Sequence, residues 1–92
     1  MPRRRARVAT TTGLHARPAA LLTRRVAEGG HPVQIAREGQ PAVDASSILM
    51  VMGLKLAHGE EVELSSPSDD AEPLLDELAA LLATDLDLVE QP

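Results

Sequence analysis

Apolar residues in this chain switch repeatedly between a spacing of two and a spacing of three to four, and that alternation limits the fold more than any other feature. Residues 3–10 alternate weakly, with Ala6 and Val8 turned inward, which predicts a first strand, and Thr11-Thr12-Gly13 makes a turn after it. From Ala16 to Glu28 the period becomes helical, with Ala19, Leu22 and Val26 on one stripe, and Gly29-Gly30 ends the helix. Pro32 to Glu38 reads as a strand in which Val33, Ile35 and Arg37 alternate with Gln34 and Ala36. A turn at Glu38-Gly39-Gln40-Pro41 then leads to a short strand through Val43. Ser46 or Ser47 caps a short apolar helix from Ile48 to about Gly53, and His58-Gly59 turns into a strand over Glu60–Ser65. The last helix carries Leu74, Leu78, Leu81 and Leu82 on one stripe. Asp70 as its N-cap puts Pro73 at the third helical position, where proline's missing N–H costs nothing. The order β-α-β-β-α-β-α, with one apolar stripe per helix, predicts an α+β fold with helices on one face of an antiparallel sheet.

Ninety-two residues make one domain, 1–92, with an acidic tail expected to fray after about Leu86. No stretch reaches the roughly 20 apolar residues of a membrane helix, and the basic start lacks the apolar run of a secretory signal. No membrane insertion and a cytoplasmic location are therefore expected. Cysteine is absent, which excludes disulfides, thiol nucleophiles and cysteine-held metals. Phe, Tyr and Trp are absent too, which removes the stacking platforms used on single-stranded nucleic acid, sugars or flavins. The net charge of −5 argues further against nucleic acid. That charge is uneven: residues 1–40 hold eight Arg and two Glu, residues 41–92 one Lys and twelve acids. One part of the surface is thus expected to favour acidic partners.

The chemistry is concentrated in Gly13-Leu14-His15-Ala16-Arg17-Pro18-Ala19-Ala20. This string sets His15 at the N-cap of the first helix, after a turn that Gly13 permits, with Pro18 stiffening the first turn. The free backbone amides of Ala16 and Arg17 and the positive end of the helix dipole make an anion site beside the imidazole. Arg17 adds a permanently charged fork suited to phosphate oxygens. A neutral imidazole is a competent nucleophile near pH 7. His31 and His58 each lie beside Gly or Pro in a turn and far apart, so they read as surface loop residues and no metal site is expected. No cofactor is implied.

A second block, Ser46-Ser47-Ile48-Leu49-Met50-Val51-Met52-Gly53-Leu54, crowds more apolar residues onto a short helix than one core stripe requires. Val51 and Leu54 suit the core. Ile48, Leu49 and Met52, joined by Ala20 and Leu21, suit an exposed partner surface rimmed by Arg17, Arg24 and Arg25. Flexible Met and Leu side chains fit docking on several unrelated proteins.

The two blocks together, in their order and spacing, resemble the HPr family, the histidine phosphocarriers of the bacterial phosphoenolpyruvate-dependent sugar phosphotransferase system. The resemblance covers nearly the whole chain and implies an open-faced β-sandwich, a four-stranded antiparallel sheet with three helices on one face. It implies that His15 accepts a phosphoryl group on Nδ1 from phosphorylated Enzyme I and passes it to sugar-specific IIA domains. Arg17 would then hold the phosphate, and the chain would act as a monomeric carrier rather than a self-standing enzyme. Ser47 matches the position that a serine kinase phosphorylates in some bacteria, which brings in a transcriptional regulator as a further partner. The sequence departs from the family pattern at Ser46 and by one extra residue upstream, near Pro41. Two other roles stay open: a paralogous carrier in a regulatory, nitrogen-related relay, and a binding-only regulator acting through phosphoserine.

Overall fold

The computed structural model describes residues 2–10, 13–14 and 16–84. The strands are β1 (Arg3–Arg7), β2 (Gln34–Arg37), β3 (Val43–Asp44) and β4 (Glu61–Ser65), and the helices α1 (Ala16–Gly29), α2 (Ile48–Gly53) and α3 (Glu72–Leu82). The strands form one antiparallel sheet in the order β1-β4-β2-β3. Ala6 pairs with Val62 and Ile35 with Leu64. Period-two alternation then puts Val62, Leu64 and Ile35 under the helices and Glu61 and Glu63 on the open face.

The core is wholly aliphatic. Leu22 and Val26 of α1, Val51 of α2, and Leu75, Leu78 and Leu82 of α3 close over Ile35, Val62 and Leu64, each at most 2% exposed. Ala19, Leu22 and Val26 all lie in the core, as the helical spacing requires. Gly30, at φ +74°, follows α1 as its left-handed stop.

Three expectations are corrected. The first strand ends at Arg7, so Val8 is buried beyond it, where its N–H donates to the Glu60 carbonyl. The last helix is entered through a 3-10 turn at Asp69–Ala71, so Ala71 rather than Asp70 occupies the cap position and Pro73 is the second helical residue. On α3 it is Leu75 that is fully buried, while Leu81 is half-buried at the core's edge. Leu75, Leu78 and Leu82 stand at i, i+3 and i+7, so helical spacing centres the buried stripe on them and leaves Leu81 at its edge. The expected fraying beyond Leu86 lies outside the described residues.

The uneven charge does not become a basic surface of the expected breadth. On the open face of the sheet, Arg3 pairs with Glu63 and Arg7 with Glu61, and Arg5 reaches Glu38. Arg4, turned to the other face, donates to Glu72 and Asp76 of α3. Arg25 grips Glu77, and Arg37 grips Glu60. Arg17 and Arg24 make no hydrogen bond or ion pair among the described residues. The basic first half is thus largely consumed by the acidic second half, and the guanidinium groups without a partner among the described residues sit on α1.

Candidate functional site

The turn before α1 is fixed by backbone contacts that only glycine allows. Gly13 has φ +78°, and a Cβ there would lie 2.5 Å from the Leu56 carbonyl oxygen. Its N–H donates to the Thr10 carbonyl, and the Leu14 N–H donates to that of Leu56, both at 2.9 Å. Leu14 is 2% exposed and belongs to the core. His15 lies outside the described residues, but both of its flanks are set: a buried leucine before it and the first residue of α1 after it.

Ala16 and Arg17 begin α1 and are exposed, and Pro18 is the third helical residue, as the sequence predicts, and is buried. The helix opens with its first-turn amides lacking the intrahelical acceptors that later residues have, which favours anions. Arg17 adds a guanidinium with no partner among the described residues at the same end.

α2 packs against α1. Its N-cap is Ser47, whose Oγ accepts from the Met50 N–H at 3.3 Å. The choice between two capping serines is thereby resolved, because the Ser46 hydroxyl instead donates to Asp44 at 2.7 Å. That bond, with the Ser46 backbone N–H, holds the Asp44 carboxyl below its usual range.

Val51 is the buried residue of α2. Leu49 is 81% exposed, and Ile48 and Met52 are 37% exposed each. Leu54 is half-buried, packed at the core's edge. Met50, 48% exposed, also joins the surface, although spacing alone did not single it out. The available signal was the unbroken run Ile48–Met52: a six-residue helix turns one side to the core, so most of that run must face out. On α1, Ala20 is exposed, Leu21 is half-buried against the core and Arg24 is exposed. Arg25 is corrected from the expected rim, since Glu77 of α3 and Glu28 draw it away.

His31 is half-buried and His58 exposed. Among the described residues no group of His, Cys, Asp and Glu is placed to hold a metal. No helix among them is long and apolar enough to cross a membrane.

A four-stranded antiparallel sheet covered on one face by three helices, with a glycine-led turn feeding an exposed helix start, defines an open-faced β-sandwich. Residues 2–84 match the family described as the PTS HPr component phosphorylation site. The chain is 42% identical over 87 residues to the phosphocarrier protein HPr of Streptomyces coelicolor, covering 95% of this chain and 94% of that one. It is 35% identical over 80 residues to the HPr-like protein Crh of Bacillus subtilis, covering 87% and 93%. A solved HPr structure from Thermoanaerobacter tengcongensis matches with a TM-score of 0.85 at 29% identity, over 98% of this chain and all (100%) of that one. The chain belongs to the HPr family of phosphocarrier proteins of the phosphotransferase system.

Proposed function

We propose that His15 is the phosphoryl acceptor of this carrier. Its neutral Nδ1 attacks the phosphorus of phosphorylated Enzyme I; the bond to the donor nitrogen breaks as the new P–N bond forms. In unloading, an imidazole nitrogen of a IIA histidine attacks the same phosphorus, and the P–N bond to His15 breaks as the new one forms. The observation that carries this reading is the company His15 keeps: a pinned Gly13-Leu14 turn on one side, and on the other the exposed start of α1 with Arg17, which has no partner among the described residues. The Ala16 and Arg17 amides and the guanidinium stabilise the transferred oxygens, while the labile P–N bond keeps onward transfer accessible.

Ile48, Leu49, Met50 and Met52, with Ala20 and Leu21, form the docking surface for Enzyme I and IIA domains in the cytoplasm, and Arg24 speeds encounter with acidic partners. These positions also decide whether the carrier serves sugar uptake or a regulatory relay. Incubation with phosphoenolpyruvate and Enzyme I should load an acid-labile group on the wild type and none on His15→Ala. Loading of the mutant at the wild-type rate overturns the assignment. Arg17→Ala should slow transfer roughly tenfold or more, since a charge-assisted hydrogen bond contributes about 1.5–3 kcal/mol.

A second role is supported by Ser47, whose side chain caps α2 at the edge of the apolar surface. A phosphate placed there by a serine kinase brings about −1.5 to −2 charges that must be desolvated when Enzyme I docks. Ser47→Asp should therefore slow loading of His15 relative to Ser47→Ala at one fixed salt concentration. Equal rates reduce Ser47 to a helix cap, and remove the footing for a phosphoserine-reading transcriptional regulator.

A further inference from the structure

The Leu54–Glu60 segment connects α2 to β4, and one side chain from β2 gathers both of its ends. Arg37 donates through Nη2 to the carbonyls of Leu54 and Lys55, at 2.5 and 3.1 Å. Through Nε it donates to Glu60 Oε2 at 2.5 Å. Glu60 in turn accepts from the Ala57 N–H at 3.1 Å, so its carboxylate folds back onto the middle of the same loop. Arg37 and the Ala57 amide hold the Glu60 carboxyl below its usual range. Lys55 stands at φ +51°, a conformation that a non-glycine residue keeps only where its surroundings impose it, and its carbonyl is one that Arg37 holds.

The middle of this loop is the floor of the turn before His15. The Leu56 carbonyl accepts from the Leu14 N–H, and the Gly13 backbone lies against it too closely for any side chain. At the far end of the loop, Gly59 and Glu60 are bonded to Val8, where the chain leaves β1. A shift of Leu56 therefore moves Leu14 directly, and with it the entry to α1.

We infer that Arg37 is a positioning residue for phosphoryl transfer, acting through the Leu54–Glu60 loop on the turn that presents His15. This rests on the reading of His15 given above. The guanidinium spans acceptors on three residues at once, Leu54, Lys55 and Glu60; a lysine ammonium at this position keeps the charge pairing with Glu60 but not the planar fork. Displacements of about 1 Å in a reacting group cost up to about a hundredfold in rate, so loss of a clamp one step removed should cost about tenfold.

The test pairs a structural readout with a kinetic one, on the full chain carrying Arg37→Ala or Arg37→Lys. Amide exchange should speed up at Leu14, while Ala45, whose N–H is bonded to Val33 in another part of the fold, stays at its wild-type rate. Transfer from phosphorylated Enzyme I should slow about tenfold at saturating donor with little change in KM, and Arg37→Lys should fall between Arg37→Ala and wild type in both readouts. Unchanged exchange at Leu14, unchanged transfer despite faster exchange, or a loss confined to KM each overturns the inference. Glu60→Gln guards against a variant that merely misfolds: it keeps one acceptor oxygen, puts an NH2 donor in place of the other and removes the charge, and should reproduce a milder form of both effects. Its failure to alter either also overturns the inference. A wild-type chain that accepts no phosphoryl group overturns the His15 reading and this inference with it, whereas an active wild type with an unaffected Arg37→Ala overturns this inference alone.

Discussion

The helices α2 and α3 are both rich in aliphatic residues, yet they use them in opposite ways. α3 is 11 residues long and buries Leu74, Leu75, Leu78 and Leu82 against the sheet and α1. α2 is six residues long, buries Val51, and leaves Ile48, Leu49, Met50 and Met52 exposed. At 3.6 residues per turn, a helix of three turns brings a stripe of leucines to the core, while one of fewer than two turns brings little more than one residue. Apolar content alone therefore does not mark a core. Helix length and the neighbours it meets decide which residues hold the fold and which remain available to a partner. The arginines show the same contrast: those of β1 are paired with carboxylates of β4, α3 and the β2–β3 turn, while Arg17 and Arg24 on α1 have no such partner among the described residues.

The contrast breaks most visibly on truncation of one leucine from each helix. Leu78→Ala should cost about 2–5 kcal/mol, because Leu78 is fully buried and leaves a cavity. Leu49→Ala should stay within about 0.5 kcal/mol of wild type. Urea unfolding of both variants measures the difference, and comparable losses would put Leu49 in the core after all. A charge then separates docking from stability. Leu49→Glu should weaken Enzyme I binding by about tenfold or more, as loss of a central apolar anchor does, with an unchanged melting temperature. Retained affinity would move the docking surface elsewhere.

Smaller effects sharpen the contrast between paired and unpaired charges. Arg24→Ala should lower the association rate with Enzyme I a few-fold, about the size expected of a rim charge, and flatten its dependence on salt. A change confined to dissociation would assign Arg24 a buried contact instead. The smallest effect is a titration. The folded Glu60 carboxyl is depressed by Arg37 first and the Ala57 amide second, so its contribution to the fold is complete above the unfolded glutamate value, near about 4.3. It is lost as the pH falls through the lower folded value. In an NMR titration of the Glu60 carboxyl, Arg37→Ala should raise the midpoint toward the ordinary value; an unmoved midpoint would deny the pairing.

Much of this was legible in the chain because local signals agreed with the fold. The spacing of Ala19, Leu22 and Val26, the alternation around Val62 and Leu64, and the stop at Gly29-Gly30 each specify one element without help from elsewhere. The glycine-led turn and its histidine were legible for the same reason, being contiguous. What was not legible depended on contacts distant in sequence. The pairing of Arg4 with Asp76 and Glu72 joins the two ends of the chain, and no local pattern announces that it spends the basic charge. In the leucine-rich run of α3 two stripes overlap, and only packing against the sheet and α1 shows that the one through Leu75, Leu78 and Leu82 is the buried one. Asp44 took the Ser46 hydroxyl and so left the cap to Ser47. Arg37, read as a strand residue, owes its place on the loop before β4 to the same kind of long-range contact.

As proposed, His15 holds the phosphoryl group on a single ring nitrogen. The most direct measurement is phosphorus NMR on the chain with nitrogen-labelled imidazoles, recorded after loading with phosphoenolpyruvate and Enzyme I. One acid-labile phosphorus resonance coupled to Nδ1 of His15 is expected, with the His31 and His58 rings unchanged. A resonance coupled to either of those rings, or an acid-stable phosphate with all three imidazoles unmodified, would contradict it.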